Sequence, residues 1–133
     1  HDGAGLTLAH IMGIKTGLIT GRNSAATAQR AKEMKMDYVY QGRPKKVDAY
    51  EECKQLSGAS DAETAYIGDD LPDLDLFERA GLAVATANAA PELKKAAHYV
   101  TRASGGNGAA REVVELILRA QGRWKEAIPK ALA

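Results

Sequence analysis

Short apolar runs rich in β-branched and aromatic residues alternate along this sequence with longer stretches of helical character. The apolar runs lie at residues 15–20, 37–40, 64–67, 82–86 and 98–101, and the helical stretches at 24–35, 44–56, 72–80, 91–97 and 109–121. The runs do not alternate apolar and polar residues, which is typical of strands covered by helices on both faces. The pattern predicts an α/β fold with a doubly wound, Rossmann-like parallel sheet.

Length and composition limit the chain to one globular domain. The 133 residues, 45% of them hydrophobic and 26% charged, leave no room for a second core. A formal net charge of +1 provides no bulk attraction to nucleic acid or to an anionic membrane, so we expect neither partner. No apolar run approaches the roughly 20 residues of a membrane span. The single Cys53 excludes an internal disulfide and favours a reducing, cytoplasmic setting.

Polar residues follow three of the predicted strands, at residues 20–22, 41–46 and 68–70. In a parallel sheet the carboxyl ends of the strands lie at one edge, where ligands bind. The three segments would bring a hydroxyl, an ammonium group and carboxylates to this edge. Such a set suits a phosphate group together with a divalent cation.

The strongest local signal is the acidic loop after the third strand. Asp69, Asp70 and Asp73 lie within five positions, and their mutual repulsion is costly unless a cation or hydrogen-bond donors neutralise them. Oxygen ligands of this kind suit Mg²⁺. Either Asp70 or Asp73 could instead cap the helix predicted to begin at Pro72, so at most two of the three are expected to be metal ligands.

Thr20 and Lys46 each have two interpretations. Thr20, followed by Gly21, would place a hydroxyl and free backbone amides at a helix N-terminus, where an anion is favoured; alternatively it only ends a strand and forms a turn. Lys46 stands at the beginning of a helix, where the dipole disfavours a cation unless an anion lies nearby. Lys45 and Lys46 could equally both be solvated, and the sequence leaves open which of them points inward.

In this order, the segments at residues 20–22, 41–46 and 68–73 resemble motifs two, three and four of the haloacid dehalogenase superfamily. More closely, the sequence resembles the capless 3-deoxy-D-manno-octulosonate 8-phosphate phosphatase family. The matching segments are residues 1–6, 19–24, 41–42, 85–91, 99–102, 106–112 and 120–122, so the resemblance spans essentially the whole chain.

The resemblance implies a role for each candidate residue. Thr20, Gly21 and Arg22 would bind the phosphate group, with the Thr20 hydroxyl on the phosphoryl oxygens. Lys46 would bind the phosphate and balance charge on the nucleophile. Asp69 would bind Mg²⁺ with support from Asp70. Asp73 would anchor the acidic loop.

The family's catalytic Asp-x-Asp motif lies on the first strand of the sheet, and its first carboxylate attacks phosphorus to give an aspartyl-phosphate; no such motif precedes Thr20 in this sequence. Asp2 is the only carboxylate before Thr20, and we expect it to cap a helix beginning near Gly5. We therefore expect residues 1–133 to form one haloacid-dehalogenase-like domain that lacks the N-terminal strand and hairpin. Alone, this chain is expected to be inactive.

By resemblance, the whole protein would be a cytoplasmic, Mg²⁺-dependent phosphatase of lipopolysaccharide biosynthesis. Its substrate would be a sugar-acid phosphate, first of all 3-deoxy-D-manno-octulosonate 8-phosphate. The family implies a homotetramer whose subunits close each other's sites, and residues 123–129 resemble a C-terminal segment that reaches toward an active site. The alternative is a non-catalytic module of the same fold that keeps the phosphate- and metal-binding edge for binding or oligomerisation.

Overall fold

The computed structural model describes residues 2–132, which form seven α-helices and five strands. In chain order the elements are α1 (Asp2–Ile11), β1 (Gly17–Ile19), α2 (Ala25–Glu33), β2 (Tyr38–Tyr40), α3 (Lys46–Ser57), β3 (Ala65–Gly68), α4 (Leu74–Phe77), β4 (Leu82–Ala85), α5 (Pro91–Ala96), β5 (Tyr99–Val100), α6 (Ala109–Ala120) and α7 (Trp124–Leu132). Two short 3-10 helices lie at Asp61–Glu63 and Leu71–Asp73. The α/β alternation predicted from the sequence is confirmed.

All strand pairs are parallel, as predicted, but the strands belong to two sheets. β1 pairs with β2, with Gly17 opposite Tyr38, and the second sheet has the order β3-β4-β5. Between residues 2 and 132, the outer strands β1, β2, β3 and β5 each have one edge that pairs with no other strand. The single continuous sheet expected from the alternation is therefore replaced by two separate sheets.

Several predicted boundaries need correction. The helix expected at 72–80 is a 3-10 turn followed by the single turn of α4, and Pro44 lies before α3, whose N-cap is Lys45. Gly58 ends α3 with φ 74°, the left-handed conformation expected for a terminal glycine. The helix α7 was not predicted.

Two apolar clusters hold the fold together. The first joins α1, α6 and α7 through Leu8, Ala9, Met12, Val114, Leu118 and Ala127. The second packs helices on the three-stranded sheet through Phe77, Ala83, Ala85, Ala89 and Leu93. No helix between Asp2 and Leu132 has the length and apolarity needed to cross a membrane.

Helix α1 crosses α6 at close range, and this contact explains the glycine at position 5. A Cβ on Gly5 would lie 2.4 Å from the Arg111 Cα, so only glycine fits there. Asp2 was predicted to cap its own helix, and that prediction is wrong. Asp2 already lies within α1, and its Oδ1 accepts a hydrogen bond of 3.0 Å from the Ala110 amide in the first turn of α6.

Candidate active site

An ion pair joins the segment after β2 to the loop after β3. The Lys46 Nζ donates to Asp73 Oδ1 at 2.9 Å. Because β1 runs parallel to β2, this contact places the carboxyl ends of β1, β2 and β3 on the same side of the molecule. Lys46 points inward and Lys45 is exposed, which answers a question that the sequence left open.

Asp73 is the centre of this region and is only 2% exposed. Its Oδ1 accepts hydrogen bonds from Lys46 and from the Tyr66 hydroxyl, and its Oδ2 accepts from the backbone amides of Asp69 and Asp70 at 3.0 and 3.2 Å. Burial by itself would raise the pKa of Asp73, but these donors outweigh it and hold the pKa below its ordinary range. The four donors match the capacity of a carboxylate, so Asp73 has no free position for a metal ion.

The loop fits tightly around this carboxylate. A Cβ on Gly68 would lie 2.6 Å from the Asp73 Cβ, so a side chain at the end of β3 would push Asp73 away from its partners. The Asp70 Oδ1 accepts from the Leu71 amide at 2.8 Å and so caps the 3-10 turn. Of the two residues that the sequence offered as a cap, Asp70 takes that position, and Asp73 braces the loop through its hydrogen bonds to the amides of Asp69 and Asp70.

Asp69 differs from its two acidic neighbours. Its side chain is exposed and, within the described part of the chain, its carboxylate accepts no hydrogen bond, although its amide is fixed by Asp73. Asp70 is also exposed, and its carboxylate caps the 3-10 turn at Leu71–Asp73. Residues 2–132 contain no group of three or more His, Cys, Asp or Glu side chains arranged as metal ligands. The carboxylates of Asp69 and Asp70 are hard oxygen donors of the type that Mg²⁺ takes when water and phosphate complete its shell.

Thr20 lies where the loops after β1 and β2 interlock. Its Oγ1 accepts from the Arg22 amide at 3.2 Å, its own amide donates to Tyr40 O, and the Gly42 amide donates to Arg22 O at 3.1 Å. Thr20 therefore forms the turn of its simpler interpretation. The hydroxyl proton stays available for donation, so the turn does not conflict with binding an anion. Gly21 and Arg22 are exposed beside it.

Sequence reasoning missed Tyr66 in β3. Its hydroxyl donates to Asp73 Oδ1 at 2.6 Å, and its ring makes edge-to-face contacts with Tyr50 and Phe77. Burial, followed by the hydrogen bond to Asp73, raises the pKa of Tyr66, which keeps the hydroxyl protonated as a donor. A tyrosine inside an apolar strand run was the available signal, because a buried tyrosine hydroxyl usually finds a partner.

Comparisons with known proteins show which family the chain belongs to. The profile of a family described as haloacid dehalogenase-like hydrolase matches residues 26–113. The chain is 40% identical over 126 residues to the 3-deoxy-D-manno-octulosonate 8-phosphate phosphatase of Escherichia coli K12, covering 95% of this chain and 67% of that protein.

Two solved structures resemble the whole fold. The 3-deoxy-D-manno-octulosonate 8-phosphate phosphatase from Yersinia pestis has a TM-score of 0.91 and 41% identity, covering 93% of this chain and 67% of that one. The corresponding phosphatase from Moraxella catarrhalis, in complex with magnesium ion, phosphate ion and KDO, has a TM-score of 0.92 and 40% identity. That match covers 97% of this chain and 74% of the other.

The parallel fold and its charged edge define an α/β protein of the class that binds ligands where the strands end. The family profile and the relatives identify one family within that class. The chain belongs to the haloacid dehalogenase-like hydrolase family, as the sequence resemblance predicted, and its structural neighbours include 3-deoxy-D-manno-octulosonate 8-phosphate phosphatases.

Proposed function

We propose that this chain is the major part of a Mg²⁺-dependent phosphatase acting on a sugar-acid phosphate, first of all 3-deoxy-D-manno-octulosonate 8-phosphate. The observation that carries the proposal is the Lys46–Asp73 ion pair beside the exposed Asp69, at the carboxyl ends of the strands. Family membership and about two-fifths identity to phosphatases of that specificity support the choice of substrate, for example 40% to the Escherichia coli enzyme.

Different residues of the chain have different roles in the proposed phosphoryl transfer. The Thr20 hydroxyl and the backbone of Gly21 and Arg22 hold the phosphoryl oxygens, with the exposed Arg22 side chain adding positive charge. Lys46 is braced by Asp73, so its ammonium group is fixed where negative charge accumulates during the transfer. Positioning and charge neutralisation of this kind supply most of the catalysis in phosphoryl transfer.

Asp69 and Asp70 are the residues that would hold the cation. When bound, Mg²⁺ would neutralise phosphate charge and orient the substrate for in-line attack. Asp73 fixes the amides of both residues and so sets the position from which their carboxylates reach the site. The Asp69 carboxylate is free to bind, since no hydrogen bond within residues 2–132 engages it.

The nucleophile in this proposal is an aspartate on a further strand of the sheet. The separation of the parallel strands into two sheets supports it, because a further parallel strand could pair with one open edge of each sheet and join them. Its carboxyl end would then lie at the edge that carries Thr20 and Asp69. The carboxylate would attack phosphorus, the ester oxygen would leave with the sugar, and water would hydrolyse the aspartyl-phosphate.

Cytoplasmic location and a homotetramer whose subunits close each other's sites are further parts of the proposal. In the structure, α7 packs against α1 and α6 of its own chain, with the Arg123 Nη2 on Met12 O at 2.7 Å. The segment that resembles the family's C-terminal arm is thus held largely in place here. Analytical ultracentrifugation of the whole protein would test the tetramer.

Phosphate release tests the activity. Residues 1–133 alone and the same chain preceded by an Asp-x-Asp strand segment are incubated with 3-deoxy-D-manno-octulosonate 8-phosphate and Mg²⁺. We expect turnover only with the added segment, because charge neutralisation cannot replace an attacking group. Turnover by the purified 133-residue chain that is lost in Asp2→Asn would place the nucleophile at Asp2. Binding of phosphate and Mg²⁺ without turnover in either form would instead favour a non-catalytic module.

Mg²⁺ titration tests the division of roles in the acidic loop. Asp69→Asn should weaken Mg²⁺ binding far more than Asp73→Asn at equal folded fraction, because the first removes a charged ligand and the second only a brace. Isothermal titration of both variants decides it. Weaker Mg²⁺ binding in Asp73→Asn than in Asp69→Asn would mean that Asp73 is the metal ligand and Asp69 the brace.

A further inference from the structure

The two oxygens of Asp73 have different partners. Oδ2 accepts only backbone amides, those of Asp69 and Asp70, whereas Oδ1 accepts the Lys46 ammonium group and the Tyr66 hydroxyl. The carboxylate therefore links the candidate phosphate-binding lysine to the candidate metal-binding loop. Its orientation controls the position of both.

Tyr66 is the most rigidly held side-chain donor to Asp73. It lies in β3 and makes the shortest of the four hydrogen bonds, 2.6 Å. Its ring is fixed by edge-to-face contacts with Tyr50 at 6.4 Å and with Phe77 at 6.2 Å between centroids. Lys46, by contrast, is a long side chain with three rotatable donors and 25% of its surface exposed. Lys46 alone cannot define which way the Asp73 carboxylate faces.

We propose that Tyr66 is a positioning residue for the active site, acting through Asp73 to fix the Lys46 ammonium group and the Asp69–Asp70 loop together. The inference rests on the proposed phosphatase function and extends it to a residue that does not itself reach the substrate.

The aromatic contacts give Tyr66 a second influence on Lys46. Tyr50 lies on α3, one turn after Lys46, the first residue of that helix. Tyr66 thus contacts the body of α3 with its ring and the first residue of α3 through Asp73. A shift of α3 relative to β3 would disturb the ring contact and the hydrogen-bonded network together, so Tyr66 sets the spacing between the lysine and the acidic loop.

Tyr66→Phe tests this role because it keeps the ring and removes only the hydroxyl. Tyr50→Phe is the matched control: the same atom is lost from the same aromatic cluster, but the Tyr50 hydroxyl donates to Asp61, away from Asp73. The first readout is hydrogen exchange of the Asp69 and Asp70 amides by NMR in the 133-residue chain. Relative to the wild-type chain, we expect these two amides to exchange about tenfold faster in Tyr66→Phe and at an unchanged rate in Tyr50→Phe. Each rate is compared with the global unfolding rate of the same variant, so that a loss of overall stability is not counted.

The second readout is activity of the protein carrying the proposed nucleophile strand. In Tyr66→Phe, kcat should fall about tenfold while KM changes less than about twofold, since the group acts on the machinery rather than on substrate binding. Unchanged amide exchange in Tyr66→Phe, or equal loss in Tyr50→Phe, would overturn the inference. An inactive wild-type protein would count against the proposed function only, because amide exchange still decides the role of Tyr66.

Discussion

The two parallel sheets differ in how completely their strands are covered. In the three-stranded sheet, Ala83, Val84 and Ala85 of β4 are fully buried, and the two alanines belong to a cluster that includes Phe77 and Leu93. In the two-stranded sheet, Val39 is 40% exposed, and among the described residues of β1 and β2 only Tyr40 is buried. Helix α2, which connects β1 to β2 in the chain, buries only Ala31.

In the two-stranded sheet, polar contacts replace much of the apolar packing that stabilises the three-stranded sheet. The loops after β1 and β2 interlock through backbone hydrogen bonds, and the Lys46–Asp73 pair ties this half to β3. Regions with few buried apolar contacts have low local stability. The comparison teaches that the candidate phosphate-binding half depends mainly on hydrogen bonds, whereas the candidate metal-binding half lies on a well-packed apolar cluster.

Amide hydrogen exchange gives the largest expected difference. In the 133-residue chain, the amides of Val84 and Ala85 should exchange at least about 100-fold more slowly than those of Leu18 and Ile19, because β4 is central in its sheet and fully covered. NMR exchange at neutral pH measures both sets. Equal protection would mean that the two sheets unfold as one unit. Slower exchange in β1 after a strand segment is added would support pairing of that segment with β1.

A matched pair of valine truncations gives the next largest effect. Val84→Ala should lower the free energy of unfolding by about 2 kcal/mol, since the valine is fully buried and its methyl groups leave a cavity. Val39→Ala, on a strand of the other sheet, should cost less than about 0.5 kcal/mol because the side chain is already partly in water. Urea unfolding of both variants measures the difference. Similar costs would contradict the proposed difference in packing.

Acid should weaken the contact between the two sheets. The folded-state pKa of Asp73 lies below its ordinary value of 3.8, so its contribution to stability is present above that value and is lost as the pH falls through the lowered pKa. In Asp73→Asn, the free energy of unfolding should therefore fall less steeply below pH 3.8. The remaining decrease would come from Asp61, Glu63 and Glu112, whose pKa values are also lowered. Acid titration of both proteins, followed by circular dichroism, tests it. An unchanged slope would show that Asp73 does not bridge the sheets in solution.

Features that depend on residues close together in the sequence were predictable. The alternation of strands and helices, the parallel pairing and the glycine end of α3 follow from patterns within a few residues. It was also predictable that the acidic loop after β3 contains partners for its carboxylates, because carboxylates so close together need neutralising groups. The bracing role expected for Asp73 agrees with its four hydrogen bonds.

The rest depends on contacts between distant residues. Asp2 caps a helix 108 positions away, and nothing near Asp2 in the sequence indicates Ala110 as its partner. The choice between Lys45 and Lys46 depended on the exact start of α3, and propensity does not fix a helix end to one residue. The division of the sheet depends on which strands become neighbours, and alternation alone does not determine strand order.

The smallest expected effect concerns the rim of the two-stranded sheet. The Arg43 guanidinium lies 4.9 Å above the Tyr40 ring and pairs with Glu52 at 3.3 Å, with the two charged side chains 39% and 46% exposed. Exposed ion pairs and cation–π contacts are each worth at most about 1 kcal/mol, and salt screens the pair. Arg43→Gln should therefore lower the unfolding free energy by less than about 1 kcal/mol, and by less still in high salt. A double-mutant cycle with Glu52→Gln, read by urea unfolding at two salt concentrations, separates the ion pair from the ring contact. A cost well above that of Val84→Ala would mean that the two-stranded sheet depends on its rim as strongly as the three-stranded sheet depends on its core.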